Sequence, residues 1–198
     1  MNSNKKTGKI IMLVGAVCVI AALLWTFYNR YTDNKAGQLS QEVLQQLDIE
    51  VSTDTDSAPD YIINPDIFMP IKVIDGYKYV GTVEIPSIDL TLPVMNEWST
   101  DNSKIAPCVY SGTAYKNDLI IAGHNYKKHF GYIDNLSAGD KVVFTDMDGN
   151  VFNYNVIYTE IIGGDATEDM LSGEWDLTLF TCNYSGGARI TVRCALAE

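Results

Sequence analysis

Residues 177–194 read LTLFTCNYSGGARITVRC. Two runs of Leu, Thr, Phe, Ile and Val flank a polar turn with paired glycines, the pattern of two strands returning side by side. Cys182 closes the first run and Arg189 opens the second seven residues later. Regular pairing turns the guanidinium toward the thiol, and Arg193, four residues on, points to the same strand face. Working outward, short β-rich runs recur at 79–85, 90–94, 119–122, 141–145, 151–159, 177–182 and 189–194, separated by Gly, Pro, Asn and Asp. No apolar helical repeat of convincing length accompanies them. Residues 77–198 are therefore expected to be a mostly β domain, seven or eight strands forming a barrel or sandwich, with short helices near 127–136 and 167–171.

The other end of the chain has a different character. Between Lys9 and Arg30, residues 10–28 are apolar except for Gly15 and Thr26. As a helix these 19 residues span roughly 28 Å, close to one hydrocarbon core. Trp25, Phe27 and Tyr28 stand where a cleaved signal would carry small residues, so the segment reads as a retained transmembrane anchor. Lys5, Lys6 and Lys9 outweigh the bases just after the span, which predicts a cytoplasmic tail at 1–9 and an exported remainder. Leu39, Val43 and Leu47 recur at helical spacing, with Ser40 as a candidate cap, and predict a short amphipathic stalk within a linker at 29–76. From Asp48 to Asp66 there are six acids and no base, a composition suited to a loose tether.

The 198 residues suit one globular domain plus this appendage. Acids outnumber bases 25 to 14, giving a net charge of −11. A polyanion gains no counterion release on such a surface, so nucleic acid is not expected as a partner.

Cys182 sits at a strand end beside a flexible turn, where a substrate can approach. A nucleophilic cysteine needs a proton partner or cation nearby and a donor for the oxyanion it creates. His124 follows the apolar run LIIA and a glycine, so it too lies where a strand runs out, whereas His129 falls in the polar stretch KKHFGY. Cys18 lies in the membrane span as a small apolar residue. Cys108 and Cys194 form an even pair in an exported domain and are candidates for a disulfide. The two histidines stand five apart with no nearby Cys or paired carboxylate, so no metal site is expected. DMDGN opens like a calcium loop, but its twelfth position is Ile157, and Asp-Gly between apolar runs reads as a hairpin turn. YSGGA is not a serine-hydrolase elbow, and no phosphate-binding P-loop occurs.

LIIAGHNY at 119–126 and TLFTC at 178–182, followed by an arginine on the next strand, resemble the histidine motif and TLxTC signature of the sortases. These are the membrane-anchored cysteine transpeptidases of Gram-positive bacteria. GTVEIPSIDLTLPV and GDKVVFTDMDGNVFNYNV occur in the family's order, extending the resemblance from about Tyr79 to Arg193. It implies an eight-stranded sortase-type β-barrel with short helices, preceded by the transmembrane helix. It further implies Cys182 as nucleophile, His124 as the acid that protonates the leaving amine, and Arg189 as oxyanion stabiliser. Ala122, Asn125, Phe180 and Thr181 would line the substrate groove. The implied substrate is a surface protein with an LPxTG-like sorting signal, and the implied acceptor is an amine such as a peptidoglycan precursor or a pilin lysine. No cofactor is expected, and calcium dependence is left open.

Within the family, a compact class A-like or class D-like enzyme is expected. The segment 161–176 lacks the helical insertion of class B. No apolar segment follows the domain in this sequence, and INPDIFMP has Asp66 where a pilin-class lid carries an aromatic residue. A pilin-polymerising sortase, a plain thiol peptidase and an anchored, catalytically silent peptide-binding module are the competing readings.

Overall fold

The computed structural model describes residues 3–51, 58–172, 174–183 and 185–197, and it divides into two compact units, residues up to Lys35 and residues from Ala36 onward. Helix α1 is Ser3–Leu47. In the first unit Ile10, Leu13, Trp25 and Phe27 are between 62% and 71% exposed, so the helix presents an apolar surface. Among the described residues α1 is the one helix long and apolar enough to cross a membrane.

The stalk expected near 39–47 is thus the end of α1 and not a separate helix, and Ser40 is no cap. A lone Gly37 costs about 1 kcal/mol in a helix, too little to end it. Ser40 is fully buried in mid-helix, its hydroxyl donating to the Ile105 carbonyl at 3.0 Å. The buried stripe is Ala36, Ser40, Val43 and Leu47, one turn longer than the apolar spacing implied. Val43 and Leu47 pack with Ile74, Tyr79, Met95, Ala106 and Cys108.

Of the expected acidic tether, residues 52–57 lie outside the described residues. The rest of it forms a strap: helix α2, Asp60–Ile63, turns Tyr61 onto Tyr115, with ring centroids 4.6 Å apart and planes 9° apart. Ile67 and Met69 also pack against the main core. A few apolar side chains suffice to seat a segment whose acids stay in water.

Among the described residues the remainder of the chain has nine strands: β1 Lys72–Ile74, β2 Tyr77–Ile85, β3 Leu90–Met95, β4 Cys108–Ser111, β5 Leu119–Gly123, β6 Lys141–Asp146, β7 Val151–Gly163, β8 Leu177–Cys182 and β9 Ala188–Leu196. Eight close a ring in the order β2-β3-β4-β5-β8-β9-β7-β6, completed by β2–β6 pairing, while β1 hangs on the outer edge of β2. This is the expected eight-stranded barrel. The short strands β1 and β4 carry no alternation long enough to mark them. The closure is tight at Gly81, where a Cβ would stand 2.2 Å from the Thr145 carbonyl oxygen. Among the antiparallel pairs, β3–β4 and β5–β8 are parallel, so the sheet is mixed.

Alternation fills the barrel. On β6 and β7, Val142, Phe144, Phe152, Tyr154 and Val156 point inward and join Val83, Leu177, Leu179 and Val192. The DMDGN turn is a hairpin, Asp146 accepting from the backbone N–H groups of Asp148 and Asn150 at 2.9 Å. Both faces of β8 are covered. Leu177 and Leu179 enter the barrel, and Phe180 joins Ile120, Ala122 and Met170 in a smaller cluster on the outside. Helix α3, Thr167–Met170, supplies Met170, in agreement with the short helix expected at 167–171. The other expected helix, 127–136, is a loop with one 3-10 turn, Ile133–Asn135. Cys108 and Cys194 are free, not bridged; they lie in separate buried clusters, and burial pushes each thiol up to about 12.

His129 is completely buried, and desolvation holds its pKa down at about 4 against an ordinary 6.5. Between those values the unfolded chain takes up a proton that the folded chain refuses, so stability is full above pH 6.5 and falls as pH drops toward 4. Denaturant titrations at pH 7 and pH 4 should differ by about 3 kcal/mol more in the wild type than in His129→Gln, which has no proton to bind. Equal pH slopes in the two proteins would contradict this.

Candidate active site

β8 lies between β5, to which it runs parallel, and β9, to which it runs antiparallel. Parallel strands end at the same rim, and an antiparallel neighbour begins there. Gly123 of β5 is opposite Thr181, and Cys182 is opposite Arg189 of β9. Residues opposite one another on paired strands have Cα atoms about 5 Å apart. His124 is the next residue after β5. The imidazole, thiol and guanidinium are thereby brought from three adjacent strand ends to one cavity of about 230 Å³.

Ala122, Gly123 and Phe180 line the same cavity. Phe180 shares a face with Cys182 because the two are two positions apart on the strand, with Thr181 between them. Thr181 points the other way: it is 2% exposed, absent from the cavity lining, and its hydroxyl has no hydrogen-bond partner among the described residues. Asn125 is also absent from the lining. Pleat parity removes Thr181, and the turn after His124 removes Asn125. The sequence reading missed Trp98, Tyr110, Gly163, Gly164 and Met170, which are among the further residues of the wall. Trp98 and Gly164 lie in loops, Tyr110 on the four-residue β4, Gly163 at the last position of β7 and Met170 on the four-residue α3, all places where no periodicity announces them. Tyr110 stands edge-on to Phe180 at 5.2 Å and to Trp98 at 6.3 Å, forming an aromatic side to the cavity.

The two arginines of β9 have different roles despite sharing a face. Arg193 is 3% exposed and opposite Thr178, to whose hydroxyl it donates at 3.1 Å. Its Nε donates to Glu160 Oε1 at 2.8 Å, and Nη2 donates to the Asp169 carbonyl at 2.7 Å. It therefore ties α3 to β7 and β8, outside the cavity. Arg189 lines the cavity and hooks Nη1 onto the carbonyls of Gly186 and Ala188 at 3.1 and 3.3 Å. Asn183 shapes that turn, its Oδ1 accepting from the Ala188 N–H at 3.2 Å and from the Ser185 hydroxyl at 3.0 Å. Gly164 closes the other side, its N–H donating to the Gly187 carbonyl at 3.0 Å.

The His124 pKa is lowered, first by burial and then by the Lys104 cation. A neutral imidazole is favoured at rest, and an imidazolium formed there is a stronger acid than a free one. Among the described residues no cluster of three His, Cys, Asp or Glu could hold a metal ion.

Attack by a thiol on a carbonyl requires a proton carrier and an oxyanion donor, and an imidazole and a guanidinium line the same cavity as Cys182. Such equipment belongs to cysteine-dependent acyl transfer. The Sortase domain family model matches residues 83–197, more than half of the chain, which belongs to the sortase family of cysteine transpeptidases. The chain is 28% identical to sortase A of Bacillus anthracis over 163 residues, covering 79% of this chain and 77% of that one. It is 26% identical to sortase A of Listeria monocytogenes over 198 residues, covering 91% and 84%. Among solved structures it is similar to a Clostridium perfringens sortase D5 transpeptidase, with TM-score 0.56, 17% identity, and 85% and 99% of the two chains covered. A Streptococcus pneumoniae sortase C gives TM-score 0.56 at 19% identity, covering 85% and 89%. At these identities the structures speak for the fold.

Two outcomes check the electrostatic account. Arg193→Met should cost about 3 kcal/mol in denaturant unfolding, because Glu160 and the carbonyls of Asp169 and Met170 lose a buried partner, whereas Arg189→Met should cost less than about 1 kcal/mol. Lys104→Met should raise the midpoint of the His124 ring titration followed by NMR; a lowered midpoint would contradict the assigned cause.

Proposed function

We propose that this chain is a membrane-anchored transpeptidase that cleaves an LPxTG-like sorting signal after its threonine and passes the acyl group to an amine. The observation that carries the site assignment is the convergence of Cys182, His124 and Arg189 on one cavity from neighbouring strand ends. The Cys182 thiol gives its proton to the neutral His124 imidazole, and the resulting thiolate attacks the threonine carbonyl carbon while the carbonyl π pair moves onto oxygen. Arg189 donates N–H to that oxyanion. As the tetrahedral intermediate collapses, the C–N bond to glycine breaks and the His124 imidazolium gives its proton to the leaving amine. A thioester on Cys182 remains. An acceptor amine then attacks it, His124 takes back a proton, and the new amide leaves the thiolate free.

The cavity wall of Ala122, Phe180, Trp98 and Tyr110 suits the apolar part of such a signal. Thr181 and Asn125 are better read as supports of the rim. The charge bias before the apolar span favours a cytoplasmic N-terminus and an extracellular barrel. Tethering then holds enzyme and membrane-borne substrate at high effective concentration. The short connection from β7 through α3 to β8 favours a compact class A-like or class D-like enzyme, and the acceptor is a peptidoglycan precursor amine in preference to a pilin lysine.

The full chain in detergent micelles, given an LPxTG-type peptide and acid-quenched, should show an acyl adduct on Cys182 by mass. Oligoglycine should divert the product from acid to amide. Cys182→Ala should form no adduct, and Arg189→Lys should lose about a hundredfold in rate, more than Arg193→Lys, since it keeps charge but not the planar fork. Turnover by Cys182→Ala would favour another nucleophile, and hydrolysis untouched by amines would favour a plain thiol peptidase.

A further inference from the structure

The loop that leaves β5 folds back under His124. Phe130 N–H donates to the His124 carbonyl at 3.0 Å, and the N–H groups of His129 and Gly131 donate to the Tyr126 carbonyl at 2.9 and 2.8 Å. Phe130 is fully buried against Gly123, where a Cβ would stand 2.5 Å from its ring. The loop backbone is therefore pinned close to the end of β5.

Three rings then run inward in sequence. His124 stacks on Tyr126 with centroids 4.7 Å apart and planes 21° apart, and Tyr126 leans on His129 at 5.6 Å and 51°. His129 is completely buried, with Nε2 3.3 Å from the hydroxyl oxygen of Ser40 on α1. That hydroxyl has one proton, and it goes to the Ile105 carbonyl at 3.0 Å. Ser40 thus accepts from Nε2–H, which fixes the neutral tautomer with the proton on Nε2. The other ring nitrogen, Nδ1, has no partner among the described residues, so the ring is oriented from its Nε2 side, by Ser40 together with the backbone carbonyls of Ala36 and Ile105.

The helix is built to come this close. Ala36 is 2% exposed, and a Cβ on Gly37 would lie 2.9 Å from Lys128 Cγ in the same loop. Small side chains at Ala36, Gly37 and Ser40 bring the helix backbone against residues 128 and 129. An apolar pair would fill the same space, whereas a buried serine–histidine pair adds a direction. None of Ser40, Tyr126 or His129 lines the cavity at Cys182.

We propose that the end of α1 is a positioning element for the catalytic acid: Ser40 orients His129, His129 backs Tyr126, and Tyr126 holds the His124 imidazole at the angle from which it protonates the leaving amine. This rests on the reading of His124 as that acid. The segment leading out of the apolar span is then part of the active-site support, and a barrel cut after Leu47 lacks it. A displaced imidazole slows proton transfer but leaves the peptide groove intact, so kcat falls and KM does not.

The test measures steady-state peptide-to-amine transfer by the full chain in detergent micelles, with thermal melting to confirm folding. Ser40→Ala and Tyr126→Leu should each lower kcat about tenfold with the peptide KM within about twofold of wild type. Tyr126→Phe, which keeps the ring, should recover most of the rate lost in Tyr126→Leu. Because the two residues act along one path, the double variant Ser40→Ala/Tyr126→Leu should fall about tenfold and not about a hundredfold. Folded single variants with wild-type kcat overturn the proposal, as do losses that multiply in the double variant. If Ser40→Ala does not fold, the half-buried Tyr126 decides alone through its Leu and Phe forms. Failure of the underlying reading looks different: His124→Ala would then retain wild-type transfer, whatever the other variants do.

Discussion

The position of β8 between a parallel and an antiparallel neighbour is the constraint on which the candidate site depends. A strand of six residues whose hydrogen bonds are all made on both sides cannot slip by one position without turning its whole apolar face around. Leu177 and Leu179 hold the register from inside the barrel, and Phe180 holds it from outside. With the register held, Cys182 must appear at the rim, facing outward, opposite Arg189. His124 follows from the same geometry, since β5 runs beside β8 in the same direction and ends level with it.

The rim is supported from beneath by interactions that take no part in attack on a carbonyl. Arg193 occupies the outer face four pairs further down β9 than Arg189, and there it gathers a carboxylate, a hydroxyl and backbone carbonyls from β7, β8 and α3. A planar cation with five N–H groups can satisfy such a convergent set, which a lysine cannot. The same residue type thus serves twice on one strand. Where acceptors surround it, arginine is structural; where the strand runs out and the wall opens, its remaining N–H groups are available to a substrate.

Most of the barrel was legible because its longer strands alternate cleanly and are bounded by Gly, Asn and Asp. LIIAGH and TLFTC announced the paired strand ends, and the seven-residue separation of Cys182 and Arg189 encoded their register. What escaped notice did so for physical reasons. β1 and β4 are three and four residues long, too short for a period of two to show. The strap around Tyr61 is seated by single aromatic contacts within an acidic stretch. Ser40 looked like a cap because serine usually is one, and only the tertiary partner Ile105 explains why it stays inside a helix. Thr181 was placed in the groove by adjacency in sequence, which the pleat of a strand reverses.

A view of the acyl-enzyme itself is the most direct examination of this account. A crystal structure of the barrel with a non-hydrolysable peptide mimic bonded to Cys182 should place the acyl oxygen within hydrogen-bonding distance of the Arg189 guanidinium. The His124 ring should stand on the side from which the amine departs. An acyl oxygen turned away from Arg189 and held by other donors, with His124 out of reach of the leaving group, would contradict it.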